Sequence, residues 1–104
     1  MSRAITADDL DDIALGAAVL GTGGGGDPYI GKLMAADALR RCGPVAMVHP
    51  DELDDGDLVI PVGMMGAPTV MVEKLPRGTE VEAAVSALES YLGRRAAAVM
   101  PTEA

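Results

Sequence analysis

The sequence predicts an α/β protein, a small and mostly parallel three-stranded sheet with helices packed on it, forming part of a larger α/β domain. Three observations predict it. Three stretches carry apolar residues at helical spacing, each with a start or a stop signal. Short apolar runs bounded by proline or glycine lie between them and after them. From Leu58 to Met100 the order is strand, helix, strand, a crossover unit whose strands run parallel with a right-handed connection.

The first helix is predicted over residues 7–20. Thr6, Ala7, Asp8 and Asp9 resemble a capping box, and Asp8, Asp9, Asp11 and Asp12 crowd the start, where the helix dipole favours negative charge. Leu10, Ile13, Ala14, Ala17 and Leu20 make its apolar face. The second helix opens with Asp27 as N-cap and Pro28 at the first helical position, where a missing N–H costs nothing. Ile30, Leu33, Met34 and Ala38 form its stripe, and Gly43 ends it after Arg40 and Arg41.

Strands are predicted at residues 45–48 and 58–62, with Asp54, Asp55, Gly56 and Asp57 as the turn before the second. A third helix starts at Thr79 with Glu80, Val81 and Glu82 in a capping-box pattern. Val81, Ala84, Val85, Leu88 and Leu92 form its stripe, and Gly93 closes it. Residues 96–100 read as the third strand. Residues 69–75 stay open between strand and short helix, because β-branched residues favour the first and Pro68 the second.

Composition narrows the function. The 104 residues fit one domain, and 16 acidic against 8 basic residues give a net charge of −8. Nucleic acid and anionic membranes are therefore not expected partners. Phe and Trp are absent, so the core falls to small aliphatics and seven Met. A lone Cys42 excludes an internal disulfide and a thiolate-only zinc site, and a lone His49 cannot form a metal cluster. No metal site is expected, and no cofactor is assigned. The apolar residues 13–20 follow four aspartates rather than a basic leader, so the chain is expected in the cytoplasm.

The densest chemical signal is Gly21-Thr22-Gly23-Gly24-Gly25-Gly26-Asp27-Pro28, set between two helices. Gly21, Gly23 and Gly26 satisfy G-x-G-x-x-G, and Asp51 follows at about the spacing of a ribose-binding acid. A dinucleotide fold, however, needs a strand before the glycines. Residues 26–32 mimic a phosphate loop up to Lys32, yet Leu33 stands where Ser or Thr must hold magnesium. Ordering so many glycines is entropically costly for a plain turn, so the run reads as backbone N–H groups offered to an anion or a developing oxyanion. Asp27 opposes an anion, and its simpler role is the helix cap.

In open α/β sheets ligands bind beyond the carboxyl ends of the strands. Here those ends lead into residues 63–68 and into Thr102 and Glu103, two loops expected to be neighbours. Glu73 and Lys74 are either a surface ion pair or a carboxylate and an ammonium lining that site. His49 reads as a turn residue, Cys42 as a small buried hydrophobe, and Met64 and Met65 as core or pocket lining.

Three blocks carry a family resemblance. They are residues 21–29, residues 63–70 (Gly-Met-Met-Gly-Ala-Pro-Thr-Val), and Glu73-Lys74-Leu75-Pro76 with Gly78 and Glu80. In order and spacing they resemble the N-terminal domain of the S-methyl thiohydantoin desulfurase family, from about Leu10 to Glu103. Members of that family continue past the position of Glu103 into a glycine pair and a second domain. Residues 1–104 are therefore expected to be one N-terminal domain from a truncated or split relative.

The resemblance implies a cytoplasmic hydrolase of heterocycle catabolism that removes methanethiol from an S-methylated thiohydantoin. Such a reaction needs an activated water, a base and N–H donors. Glu73 and Glu103 are the candidate bases. Gly23, Gly24, Gly25, Gly26, Asp27, Gly66, Ala67, Pro68 and Lys74 are the candidate substrate-binding residues. The expected partners are a small heterocycle and a second copy or a complementing chain, since an exposed edge after Met100 invites pairing. Two alternatives stand beside this: a non-catalytic ligand-binding or assembly module and, behind it, a dinucleotide-binding domain.

Overall fold

A computed structural model describes residues 3–22, 27–64 and 79–102. The chain divides into two compact units, one ending at Asp54 and the other beginning at Asp55.

In the first unit, β1 (Arg3–Ile5) leads through a 3-10 turn (Ala7–Asp9) into α1 (Leu10–Leu20). The Thr6 N–H donates to Asp9 Oδ2 at 2.9 Å, which is half of the capping box that the sequence predicts. α2 (Tyr29–Cys42) packs along α1, and β2 (Val45–Met47) follows. The buried Leu10 and the half-buried Ala14 and Ala17 form the face of α1 toward α2. Ile13, Leu20 and Leu33, read from spacing as buried, are exposed instead. Ile13 still lines the same space between the two helices as Leu10, Ala14 and Ala17, so it lies on the predicted face but is only partly covered.

β2 pairs antiparallel with β1, Arg3 opposite Met47 and Ile5 opposite Val45. Among the described residues the strands form two two-stranded sheets, one antiparallel and one parallel, rather than the expected mostly parallel three-stranded sheet. The reason is connectivity. Two helices between β1 and β2 reverse the chain an odd number of times, which delivers β2 running against β1. The α/β class stands, while β1 itself is too short to show alternation in the sequence.

In the second unit, β3 (Val59–Val62) pairs parallel with β4 (Ala98–Pro101), Val59 opposite Ala98 and Val62 opposite Pro101. α3 (Glu80–Leu92) lies between them in sequence and packs on β3. Strand, helix and parallel strand come in the predicted order. The predicted Thr79 cap makes no side-chain hydrogen bond. Gly93, at φ +67°, ends α3, and the Arg94 N–H returns to Glu89 O at 3.2 Å. Gly43, at φ +87°, ends α2 in the same predicted role. Ile60 is the buried hydrophobe here, as Leu10 is in the first unit.

Candidate functional site

The carboxyl ends of β3 and β4 are built to meet. The Ala97 N–H donates to Leu58 O at 2.8 Å, so the even-numbered residues of β3 turn their backbone groups toward β4. Pro61 then points its donor-free nitrogen away, where it breaks no bond of this ladder. At the top, Pro101 stands opposite Val62, and the Thr102 N–H donates to Val62 O at 3.0 Å, the slanted bond of a parallel ladder. Beyond that bond Gly63 lies against Thr102. A Cβ on Gly63 would collide with Thr102 Oγ1, so glycine permits the approach. The sequence predicts that these two loops are neighbours, and their first residues are.

An apolar groove of about 170 Å³ runs down from this end between β3 and α3. Ile60, Pro61, Val62 and Gly63 line one side, and Val81, Ala84, Val85 and Leu88 the other. These are four of the five residues in the predicted stripe of α3; Leu92 is the fifth. The groove's floor is closed and its walls are not: Ile60 is 4% exposed, Val81 39% and Leu88 40%. Sequence reading assigns such a stripe to core, and only its exposure marks it as a surface a ligand can reach.

The other end of α3 is a structural anchor. The half-buried Glu89 accepts from the Ala96 N–H at 2.6 Å through Oε2, and the Arg94 guanidinium donates to Gly56 O. Together they tie the helix terminus to the turns before β3 and β4.

In the first unit the glycine run connects two helices, as predicted. Gly21 closes α1 by donating to Ala17 O at 2.8 Å, and the Thr22 hydroxyl donates to Val19 O. Asp27 accepts from the Tyr29 N–H at 2.9 Å, so its side chain meets the first N–H of α2 from one residue before the N-cap, which is Pro28 rather than the predicted Asp27. Lys32 forms an ion pair with Asp11. A helix precedes the glycines where a dinucleotide fold needs a strand, and the lysine of the phosphate-loop match is engaged by a carboxylate.

Other titratable groups have local work. His49 accepts from the Asp51 N–H at 3.2 Å through Nδ1 while its own N–H donates to Glu52, capping a 3-10 turn (Pro50–Glu52). Cys42, expected inside, is exposed at the end of α2. The Thr6 N–H holds the Asp9 carboxyl below its usual pKa, and Arg3 adds to the effect. The Arg40 guanidinium, seconded by Arg41, does the same for Asp37. Among the described residues no three His, Cys, Asp or Glu side chains group as metal ligands. No helix among them is long and apolar enough to cross a membrane.

Of the candidate residues, Asp27 is described, and its carboxylate accepts from the Tyr29 N–H at the start of α2. Gly23, Gly24, Gly25, Gly26, Gly66, Ala67, Pro68, Glu73, Lys74 and Glu103 lie outside the described residues, as does the open segment 69–75.

A family model for the S-Me-THD-like N-terminal domain matches residues 8–104. No curated protein and no solved structure matches the chain.

Proposed function

We propose a function from one premise: the chain belongs to the S-Me-THD-like family through its N-terminal domain. It is a hydrolase, or the substrate-binding part of one, acting on a small S-methylated thiohydantoin or a related hydantoin-type ring at the carboxyl ends of β3 and β4. The observation that carries this reading is the closure of Gly63 against Thr102 at the top of a parallel strand pair. Exposed backbone gathers there, and Glu73, Lys74 and Glu103 follow these strand ends in the sequence.

In the proposed reaction water adds to the ring carbon that bears the S-methyl group. Glu73 or Glu103 takes the proton from that water, and N–H donors carry the charge that builds on the ring nitrogen. The carbon–sulfur bond then breaks, methanethiolate leaves with the proton returned by the acid, and the hydroxyl proton moves to the ring nitrogen, so that a carbonyl and an N–H remain. The products are a hydantoin and methanethiol. Lys74 orients the ring by its charge. The N–H groups of residues 23–26 are proposed as donors to a small polar ligand in their own right.

The test is methanethiol release from S-methyl thiohydantoin by the full chain and by its family context, with Glu73→Gln and Glu103→Gln. One of the two should reduce turnover at least a hundredfold. Equal turnover in both removes the carboxylates from the mechanism.

A second reading is favoured by exposure. Ile13, Leu15, Val19 and Leu20 on α1 are 48% to 76% exposed, the kind of apolar surface that marks an interaction site. An assembly module paired with a second copy or a complementing chain would cover it. Sedimentation at micromolar concentration distinguishes this module from a monomeric binding domain.

A further inference from the structure

We propose that the groove between β3 and α3 receives an aliphatic substituent of the bound ring, so that the preferred substrates carry a small alkyl side chain rather than a charged one. The inference rests on the function proposed above and specifies its substrate class.

Three features point to this occupant. Every described side chain that lines the groove is apolar, although the chain as a whole is strongly acidic. A carboxylate-bearing substituent would find no donor among these described side chains and would lose its hydration. The volume of about 170 Å³ suits a group of four to six carbons, since an apolar cavity of about 150 Å³ holds benzene. The groove is also continuous with the strand ends, because Val62 and Gly63 line it and Gly63 is the residue that touches Thr102. A ring seated at the strand ends therefore has one dry direction in which to send a side chain.

Ala84 makes the space. It is the smallest member of a stripe whose other lining residues are Val81, Val85 and Leu88, and β3 offers Gly63 at the same end. A helix closed down on the strand would bury Val81 and Leu88, which here stay more than a third exposed over a buried Ile60.

The experiment is calorimetric titration of the full chain with three S-methyl thiohydantoins whose ring substituent is hydrogen, isobutyl or carboxymethyl. The isobutyl compound should bind about tenfold more tightly than the unsubstituted one, and the carboxymethyl compound more weakly than either. Ala84→Leu fills the groove and should abolish the tenfold preference while leaving the unsubstituted compound unchanged. If this variant lowers the thermal transition, Val81→Thr replaces it, and its added hydroxyl should reduce the preference several-fold. Equal binding of isobutyl and hydrogen forms overturns the inference and leaves the proposed function standing. So does a preference that survives a well-folded Ala84→Leu, since the groove is then loose packing only. Absence of binding by all three compounds defeats the proposed function, and the inference with it.

Discussion

Gly63→Ala probes the point where the two strand ends converge. The new methyl group meets Thr102 Oγ1 far inside contact distance, whereas Thr102 Cβ and Cγ2 remain at 3.6 and 3.8 Å, ordinary separations. The strain is thus confined to one atom. Thr102 is exposed, so it can rotate away at the cost of an unfavourable side-chain torsion, about 1 kcal/mol. Against this, Ala in place of Gly restricts the unfolded chain and stabilises by about 0.5 kcal/mol. Gly63 has no positive φ, so no backbone penalty is added. Gly63→Ala alone should therefore be destabilising by about 0.5 kcal/mol, and in a Thr102→Ala background it should become stabilising by a similar amount. Urea denaturation of the four proteins in the cycle reads a coupling of about 1 kcal/mol. A coupling near zero would refute the close approach of the two ends, and with it the position assigned to the site.

Three further outcomes follow from the local geometry. Gly43, at φ +87° and ψ −177°, lies in a region closed to other residues, while Gly93, at φ +67° and ψ +25°, is left-handed helical. In thermal melts Gly43→Asn should cost about 1 to 3 kcal/mol and Gly93→Asn only a few tenths. Glu89→Ala removes the acceptor of the Ala96 N–H and should cost about 1 to 2 kcal/mol, whereas Glu89→Gln, which keeps an oxygen there, should cost less. The Asp9 and Asp37 carboxyls are depressed in the folded state. Their contribution is present above the unfolded value near 3.8 and is lost as pH falls through the folded one, so Asp9→Asn should flatten the acid side of a stability–pH profile.

How far the sequence reveals this arrangement depends on the range of the forces involved. Helix ends are local: the Asp27 contact at the start of α2, the stops at Gly43 and Gly93, and the reciprocal Thr6–Asp9 contact all follow from residues within one turn. Strand pairing is not local. Residues 45–48 read as a strand, but their partner Arg3–Ile5 has three residues and no period to detect, so the antiparallel sheet is legible only in three dimensions. The neighbourhood of Gly63 and Thr102 is legible because a strand–helix–strand order dictates parallel ends. That glycine is needed there is not, because the reason is an atom 39 residues away in the chain. The stripe of α3 is legible as a stripe. Whether it is core or groove depends on how closely the helix sits on β3, which periodicity does not encode.

The most direct test of the central claim is a titration of the isotope-labelled chain with S-methyl thiohydantoin, followed through its backbone amide resonances. Saturable shifts at Gly63, Met64 and Thr102, reaching Val81 and Val85 with an alkylated ring, are predicted. Saturable binding that leaves these amides unmoved would contradict the placement of the site at the carboxyl ends of β3 and β4.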